Sequence, residues 1–303
     1  ITHKMDEIFE NADRIYVIRD GKCVAEHYVD ETDRDEIVEE MVGRKIDNYY
    51  PKEEVQIGDV VFEVKNITVP HPFMKHKNIV ENVSFSLRKG EILGIAGLVG
   101  AGRSELVGGI YGKYPRRGGQ IFLNGQEIHI RTPEDALRHG IALLTEDRRA
   151  DGIISDLSIK DNMVLASLKK FCKHGVMDNK SQNEETGKIF NRLNIKANSI
   201  NVPAFSLSGG NQQKMVIGKW LMRDPNIIIM DEPTRGVDVG AKREIYMIMT
   251  DLVKRGFSIV IISSELPEIV SMADRVLVIA GGKITGTLEK KDISQKAIIR
   301  LAV

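Results

Sequence analysis

At 303 residues, the chain can form one large domain or two modest ones, and its 28% charged residues are ordinary for a globular protein. Its 43 basic residues balance 43 acidic ones, which argues against a chain-wide attraction to nucleic acid or anionic lipid. The sequence has no apolar run near the roughly 20 residues of a membrane span, no signal-peptide pattern and only two cysteines without metal-ligand spacing, so we expect no secreted, membrane-spanning or disulfide-framed protein.

An internal repeat organises the chain. Residues 1–42 align without a gap with residues 262–303, an offset of 261 positions (262 minus 1), and apolar positions stay in step. Because the second copy ends at the last residue, we expect the first copy to be the end of a preceding domain. This interpretation gives three parts: a C-terminal remnant of a first domain at 1–28, a linker with a short helix at 29–57, and a complete domain at 58–303.

The first part of the chain shows a short helix-and-strand pattern. Apolar spacing predicts a helix at 5–12 and a strand at 14–19, followed by a turn. Thr32 and Asp35 have the spacing of a helix start, which predicts a helix at 35–42 before a polar linker. With its parent domain absent, we expect the strand at 14–19 to expose unpaired edges.

From residue 60 onward, apolar periodicity predicts an α/β fold. Alternating patterns at about 60–90 and 120–130 predict a small antiparallel sheet, whereas 91–98 is an apolar run typical of a strand covered on both faces. A helical subdomain is expected at about 155–215, with no strand signal within 161–204. Three further strands alternate with helices, which predicts a parallel sheet: 226–232, 258–264 and 274–280.

A glycine-rich segment follows the buried strand and opens a helix. Gly97, Gly102 and Ser104 have the spacing of the phosphate-binding loop G-x-x-x-x-G-K-[ST], with Arg103 in the lysine position. Glycines let backbone N–H groups face phosphate oxygens, and the helix N-terminus adds positive potential. Arginine keeps the charge but is bulkier and planar. Taken alone, the segment also fits a structural turn.

Two further motifs surround the next buried strand. Asp231 and Glu232 end that strand, where one carboxylate can hold Mg²⁺ and its neighbour can orient an attacking water, although a solvated acidic turn fits as well. Ser208-Gly209-Gly210 opens the preceding helix and offers a second anion-binding surface. The order of the three motifs predicts a nucleotide-binding protein.

The stretches LSGGNQQK (207–214) and MDEPTRGVDVGAK (230–242) resemble the ATP-binding cassette proteins, and within them the tandem-cassette ATPases of bacterial monosaccharide importers. The resemblance covers the whole chain: 58–303 looks like the second cassette, and 1–45 like the end of the first with its linker. LLTEDRRADGI (143–153) is typical of second cassettes of the galactose/methyl-galactoside and ribose group, and is most similar to the galactoside branch. The resemblance implies a P-loop NTPase fold, ATPase activity, and ATP and Mg²⁺ as cofactors.

The resemblance also assigns a role to individual positions. The expected catalytic residues are Glu232 and His3, and the expected metal site comprises Ser104, Asp231 and Glu146. The ATP-binding set comprises Gly97, Leu98, Val99, Gly100, Ala101, Gly102, Arg103, Ser104, Glu105, Glu146, Ser208, Gly209, Gly210, Asp238 and Ser264.

Three positions depart from the family pattern. Arg103 replaces the loop lysine, Glu146 replaces a glutamine that senses the γ-phosphate, and Ser264 replaces a switch histidine, for which the repeat supplies His3 in the first copy. In this family, two ATP molecules lie between the phosphate loop of one cassette and the signature of the other. We therefore expect the Arg103 site to bind nucleotide but to turn it over poorly, and Ser208 to Gly210 to serve a competent site completed by a first cassette or a second copy.

The resemblance further implies partners. They are the transmembrane subunits of a permease, and through them an extracytoplasmic sugar-binding protein, with the ATPase at the cytoplasmic face of the bacterial membrane and no nucleic acid bound. Two alternatives remain: a soluble cassette ATPase acting on ribosomes or DNA, and a regulatory nucleotide-binding module without turnover. Arg148 and Arg149 could face the permease, a phosphate or solvent, and Phe73 could stack on adenine.

Overall fold

The computed structural model describes residues 1–2, 5–19, 21–42, 49–74, 76–173 and 175–303. Over these ranges, every helix is too short or too polar to span a membrane. The strands are β1 Arg14–Arg19, β2 Lys22–Tyr28, β3 Val60–Pro70, β4 Asn78–Arg88, β5 Ile92–Ala96, β6 Gly118–Leu123, β7 Gln126–Ile128, β8 Ile141–Leu144, β9 Cys172–Lys173, β10 Val176–Met177, β11 Ile227–Asp231, β12 Ser258–Ile262, β13 Arg275–Ala280 and β14 Lys283–Glu289. The α-helices are α1 Met5–Asn11, α2 Arg34–Val42, α3 Arg103–Tyr111, α4 Pro133–Arg138, α5 Ile159–Val164, α6 Asn179–Arg192, α7 Gly209–Leu221, α8 Val239–Lys254, α9 Leu266–Met272 and α10 Gln295–Ala302.

The central sheet has six strands in the order β14-β13-β5-β12-β11-β8, parallel except for the edge strand β14. Successive residues of β11 point to opposite faces: Ile228 and Met230 pack with the helices on one side, and Ile227 and Ile229 pack on the other side with α3 and the second sheet. All four side chains are buried, which is why this strand reads as a continuous apolar run. The predicted α/β class with a parallel core is confirmed.

The second sheet is antiparallel, with the order β4-β3-β6-β7. Burial alternates along β3, as the sequence pattern predicts for a sheet with one covered face. Asn124 and Gly125 join β6 to β7 with positive φ values of 50° and 78°, the conformation of a type I′ hairpin turn. This small sheet covers the face of the central sheet on which α3 lies.

A helical arm stands beside the central sheet. It contains α5, α6 and a 3₁₀ helix at Leu165–Phe171, and it packs onto α7. The buried Asn162 fixes its start, because its amide group donates to the carbonyl of Ile154 at 2.9 Å and accepts from the N–H of Ile154 at 2.8 Å. The expectation of no strand in this region is wrong, since β9 and β10 form a hairpin with two residues in each strand. An alternation that short leaves no readable period.

The N-terminal part repeats the last elements of the chain. α1, β1, β2 and α2 occur in the same order as α9, β13, β14 and α10, and Met5, Arg14 and Lys22 begin elements 261 positions before Leu266, Arg275 and Lys283. β1 pairs antiparallel with β2, so one of the two edges that the sequence suggested would be unpaired is occupied. The buried core of this part is small: Ile15, Val17 and Ile37.

Residues 49–57 were predicted as part of a polar linker, yet their first half lies on α8. The Tyr50 ring centroid is 5.2 Å from that of the buried Tyr246, and Tyr49 meets the same ring edge-on at 5.9 Å. Thr250 donates its hydroxyl to the Pro51 carbonyl at 3.0 Å, and Lys52 forms a largely buried ion pair with Asp274 at 2.8 Å. We call residues 49–52 the strap.

Candidate nucleotide-binding site

The glycine-rich loop runs from the end of β5 to the start of α3. A Cβ on Gly97 would lie 2.3 Å from the Ile279 carbonyl oxygen, and one on Gly102 would lie 2.7 Å from that of Ile79. Gly100 and Gly102 also have positive φ values of 80° and 96°, which glycine adopts without strain. Within the part of the chain that the structure describes, no side chain caps the N-terminus of α3, so its first N–H groups remain open to an anionic ligand.

The guanidinium of Arg103 points to the acidic end of β11. Its Nη1 donates to the Ser263 carbonyl at 2.8 Å, and its Nη2 lies 3.9 Å from Glu232 Oε1. The Arg103 side chain is buried, so its charge is directed at these neighbours instead of solvent. The residue in the lysine position therefore contacts the expected catalytic carboxylate.

Asp231 ends β11, two strands away from β5, and Glu232 directly follows it. Asp231 is 5% exposed and accepts a hydrogen bond from Ser104, and burial raises the pKa of its carboxyl to about 6. Its Oδ1 is buried with no hydrogen-bond partner among the described residues. Because Mg²⁺ prefers carboxylate and hydroxyl oxygens, a bare Asp231 oxygen beside the Ser104 hydroxyl fits a magnesium ion.

Glu232 is held from two sides. Its φ of +49° is unusual for a residue with a side chain, and its N–H donates to the Ile262 carbonyl at 2.9 Å. Ser264 donates its hydroxyl to Glu232 Oε2 at 3.0 Å, while Arg103 lies near the other oxygen. Both oxygens of the Glu232 carboxylate therefore have a neighbouring polar group of the chain.

Glu146 and Asp238 lie in the loops around this site. The Glu146 carboxylate forms an ion pair with the side chain of Arg235, which lies in the loop after β11. Asp238 caps α8, since its Oδ1 accepts from the N–H of Ala241 at 2.9 Å. One cavity of about 1650 Å³ is lined by residues of the phosphate loop, Glu105, Glu146, Glu232, Arg235 and Ser264.

The segment Ser208-Gly209-Gly210, at the start of α7, lies outside the cavity at the phosphate loop. Ser208 accepts a hydrogen bond from the Asn211 side chain at 2.9 Å, and a Cβ on Gly210 would lie only 2.3 Å from the Ala241 Cβ on α8. Among the described residues, the three are not part of the lining of the cavity at the phosphate loop. The chain thus presents two separate candidate anion-binding surfaces.

His3 lies outside the described residues, so its predicted role stays a prediction. Phe73, in the loop between β3 and β4, is 90% exposed. Its suggested stacking on adenine is a prediction as well.

One residue near the site, Glu268, was missed in the sequence, and another, Arg148, was given no single surrounding. Glu268 on α9 is completely buried, accepts a hydrogen bond from the Thr234 hydroxyl at 3.3 Å, and has its pKa raised to about 7 by burial. Its place on the apolar face shared with Ile269 and Met272 was a usable signal. For Arg148, the sequence left the permease, a phosphate and solvent open as surroundings. In the structure, its guanidinium binds the loop after β11.

The phosphate loop after β5 and the carboxylates at the end of β11 define a P-loop nucleotide-binding domain. A family model described as ABC transporter matches residues 80–235. The chain therefore belongs to the ABC transporter family, as its ATP-binding domain.

Comparison with known proteins agrees with this class. A ribose import ATP-binding protein RbsA of Bacillus cereus is 49% identical over 302 residues, which are the whole of this chain and 60% of the relative. The protein of the same name from Streptococcus agalactiae serotype V is 46% identical over the same extent. The chain thus spans about 60% of the length of these relatives.

Solved structures show the fold. An ATP-binding cassette of an ABC transporter, MJ1267, has a TM-score of 0.69 and 22% identity over 80% of this chain and 99% of that one. A dimeric cassette, MJ0796 bound to ADP and Pi, has a TM-score of 0.66 and 20% identity over 76% of this chain and 98% of that one.

Proposed function

We propose that the chain is part of the ATP-binding subunit of a ribose importer, and couples ATP binding and hydrolysis to sugar movement through a membrane permease. The observation that carries this proposal is the 45–49% identity, along the whole chain, with proteins named for ribose import. These names favour ribose over the galactoside branch that 143–153 suggested.

The domain arrangement follows from the repeat. In this proposal, 1–28 is the remnant of a first cassette, 29–57 is the linker, and 58–303 is the second cassette, with its helical subdomain at about 155–215. The shared element order at an offset of 261 residues supports it, as does the greater length of the relatives.

The partners are inferred with the function. The helical subdomain would receive a segment of the permease, the permease would meet an extracytoplasmic sugar-binding protein, and the chain would lie at the cytoplasmic face of the membrane. A first cassette, or a second copy of this chain, would complete the ATP sandwich with Ser208, Gly209 and Gly210. The balanced charge of the chain speaks against nucleic acid as a partner.

The residues suit the binding of MgATP. The N–H groups of the loop from Gly97 to Gly102 would hold phosphate oxygens, and Arg103 would add positive charge. Ser104 and Asp231 would hold Mg²⁺, which when bound neutralises phosphate charge. Glu146 was expected at the metal too, but its pairing with Arg235 gives it a competing partner.

Turnover at this site is proposed to be slow. A catalytic carboxylate must be free to accept a hydrogen bond from the attacking water. Here Glu232 already accepts from Ser264 and faces the Arg103 guanidinium. A serine also lacks the titratable ring of a switch histidine. The competent site would be the other one, with His3.

Binding and hydrolysis by the chain test the proposal together. We expect a fluorescent ATP analogue to bind in the presence of Mg²⁺, Ser104→Ala to weaken that binding, and Ser155→Ala, an exposed serine, to leave it unchanged. We expect little hydrolysis by the chain or by its Glu232→Gln variant. Turnover that disappears in Glu232→Gln would show that this site is active, and absence of nucleotide binding would refute the function as a whole.

Sugar uptake tests the substrate. A protein containing this chain should restore ribose uptake to cells that lack their own ribose-import ATP-binding protein, and should copurify with the permease. Restoration of galactoside uptake alone would favour the galactoside branch. Copurification with ribosomes or DNA instead would support the non-transport alternative, and ATP binding without any effect on uptake would support a regulatory module.

A further inference from the structure

The turn Arg148–Gly152, which follows Glu146, is fixed to α7. Asp147 Oδ1 accepts from the N–H groups of Arg149 and Ala150 at 2.9 and 3.0 Å, which holds the first half of the turn. Lys219, 7% exposed on α7, donates its ammonium to the Gly152 carbonyl at 2.6 Å. The turn is therefore attached to the helix that Ser208-Gly209-Gly210 begins.

From this turn, Arg148 reaches the loop of residues 234–238, which we call the post-strand loop. Its Nη1 donates to the Arg235 carbonyl at 2.7 Å, and its Nη2 donates to the next carbonyl, Gly236, at 3.1 Å. The neighbouring ion pair of Glu146 with Arg235 binds the same loop through a side chain. Arg148 thus binds the backbone of the post-strand loop, and Glu146 binds the Arg235 side chain in the same loop.

The Arg148 guanidinium also lies against the start of α7. A Cβ on Gly209 would come within 2.8 Å of Arg148 Nη2 and within 2.9 Å of the Gly236 oxygen. At Gly236, where φ is +65°, a Cβ would lie 3.6 Å from both Nη1 and Nη2. Because residue 209 has no side chain, the Arg148 guanidinium and the post-strand loop can both lie close to the start of α7.

Arginine suits this junction for a geometric reason. A planar guanidinium presents parallel donors that can bind two carbonyl oxygens at once, whereas an ammonium cannot match both in one plane. Charged donors also make stronger hydrogen bonds than neutral ones. The contact is thus more specific than an exposed ion pair.

We propose that Arg148 is a positioning residue that joins the post-strand loop to the N-terminus of α7. Through this contact, Asp238 and the Ser208-Gly209-Gly210 segment keep fixed positions relative to each other. This proposal rests on the proposed function only where it concerns a partner cassette, which would meet both segments. The joining itself is a property of this chain and is testable without nucleotide.

Amide hydrogen exchange of the chain tests the junction. We compare Arg148→Met, which keeps most of the stem but removes the donors, with Arg149→Met on the same turn, whose exposed side chain makes no ion pair or hydrogen bond among the described residues. The N–H group of Arg235 donates to the Glu232 carbonyl, just before the post-strand loop, and that of Val237 donates to the Thr234 carbonyl within it. Their exchange should be at least about tenfold faster in Arg148→Met, which is the lower limit for the loss of even one hydrogen bond to a charged group, and should be unchanged in Arg149→Met.

A second variant guards against a general loss of folding. Gly209→Ala keeps Arg148 but places a methyl group 2.8 Å from its Nη2, too close for both to stay in place, and should raise exchange at Arg235 and Val237 in the same way. Unchanged exchange at these amides in Arg148→Met, or an equal rise in Arg149→Met, overturns the proposal. So does a rise spread evenly over the central sheet, since that would mean lost stability and not a lost junction.

Turnover provides the functional readout. In a two-cassette protein that contains this chain, Arg148→Met should lower kcat for ATP at least about fivefold and leave KM within about twofold, with partial rescue in Arg148→Lys. A change confined to KM would contradict a positioning role. If the parent protein shows no turnover, the proposed function fails, and the exchange experiment still decides the junction.

Discussion

At the end of β11, two neighbouring carboxylates are held in different ways. Asp231 is buried with one oxygen unpartnered among the described residues, whereas both oxygens of Glu232 have a neighbour. A buried charge without a partner destabilises the fold unless a cation compensates it. The unpartnered oxygen of Asp231 therefore lowers the stability of the fold and at the same time remains available to bind a cation.

Replacement of Asp231 by asparagine should stabilise the chain in the absence of metal. Burial raises the pKa of Asp231 to about 6 from an unfolded value of about 3.9. The protonated form is therefore favoured in the fold, so the stability that protonation provides is full below about pH 4 and is lost as the pH rises through 6. Asp231→Asn should gain roughly 1–3 kcal/mol at pH 7.5 and much less at pH 4.5.

Urea unfolding of the metal-free chain at these two pH values measures the difference. Asp156→Asn, at an exposed aspartate, serves as the matched control and should change little. The same Asp231→Asn variant should lose the Mg²⁺ dependence of ATP binding. Lower stability at pH 7.5 would show that the burial of Asp231 has been misjudged.

At the scale of elements, glycines in α6 and α7 have opposite surroundings. A Cβ on Gly187 in α6 would meet no described atom within 4 Å, whereas one on Gly210 in α7 would lie 2.3 Å from the Ala241 Cβ. The first glycine only weakens its helix, and the second allows α7 and α8 to approach closely.

Alanine substitutions at these two positions should therefore change stability in opposite directions. Gly187→Ala should raise the free energy of unfolding by about 0.5–1 kcal/mol through helix propensity. Gly210→Ala should lower it by about 1–3 kcal/mol because the helices must separate. Thermal unfolding of both variants gives the comparison, and equal shifts would contradict the packing of α7 on α8.

Much of this element structure can be predicted from the sequence. β5, β11 and β12 are short apolar runs because parallel strands are covered on both faces. In the first part of the chain, α1, β1 and α2 were predicted, but β2 was not. The hairpin β9–β10 could not be predicted, since two residues in a strand carry no period. The candidate site residues were proposed from motif spacing, but the hydrogen bonds of Arg148 to residues 87 and 88 positions away were not predicted. Local patterns contain no information on such contacts.

At the scale of the whole molecule, the two anion-binding surfaces are expected to serve different ATP sites. The phosphate loop with Arg103 belongs to one, and Ser208-Gly209-Gly210 would belong to the other, opposite a partner cassette. This division predicts which surface matters more for transport.

In a two-cassette protein that contains this chain, Ser208→Arg should abolish transport, whereas Arg103→Ala should only weaken it. A large side chain at Ser208 would block the competent site, and loss of Arg103 affects a site that is proposed to turn over slowly. Sugar uptake by cells expressing each variant at equal levels provides the measurement. The reverse ranking would contradict the division.

The strap has a consequence for the geometry of the joined domains. Residues 49–52, bound to Tyr246, Thr250 and Asp274, cannot act as a flexible tether. Together with the five residues up to 57 they would otherwise add about 30 Å of reach when extended. A shorter tether confines the preceding part of the chain to a smaller volume and so raises its effective concentration at the domain that begins near residue 58. Association of the preceding part with this domain would then depend little on the protein concentration.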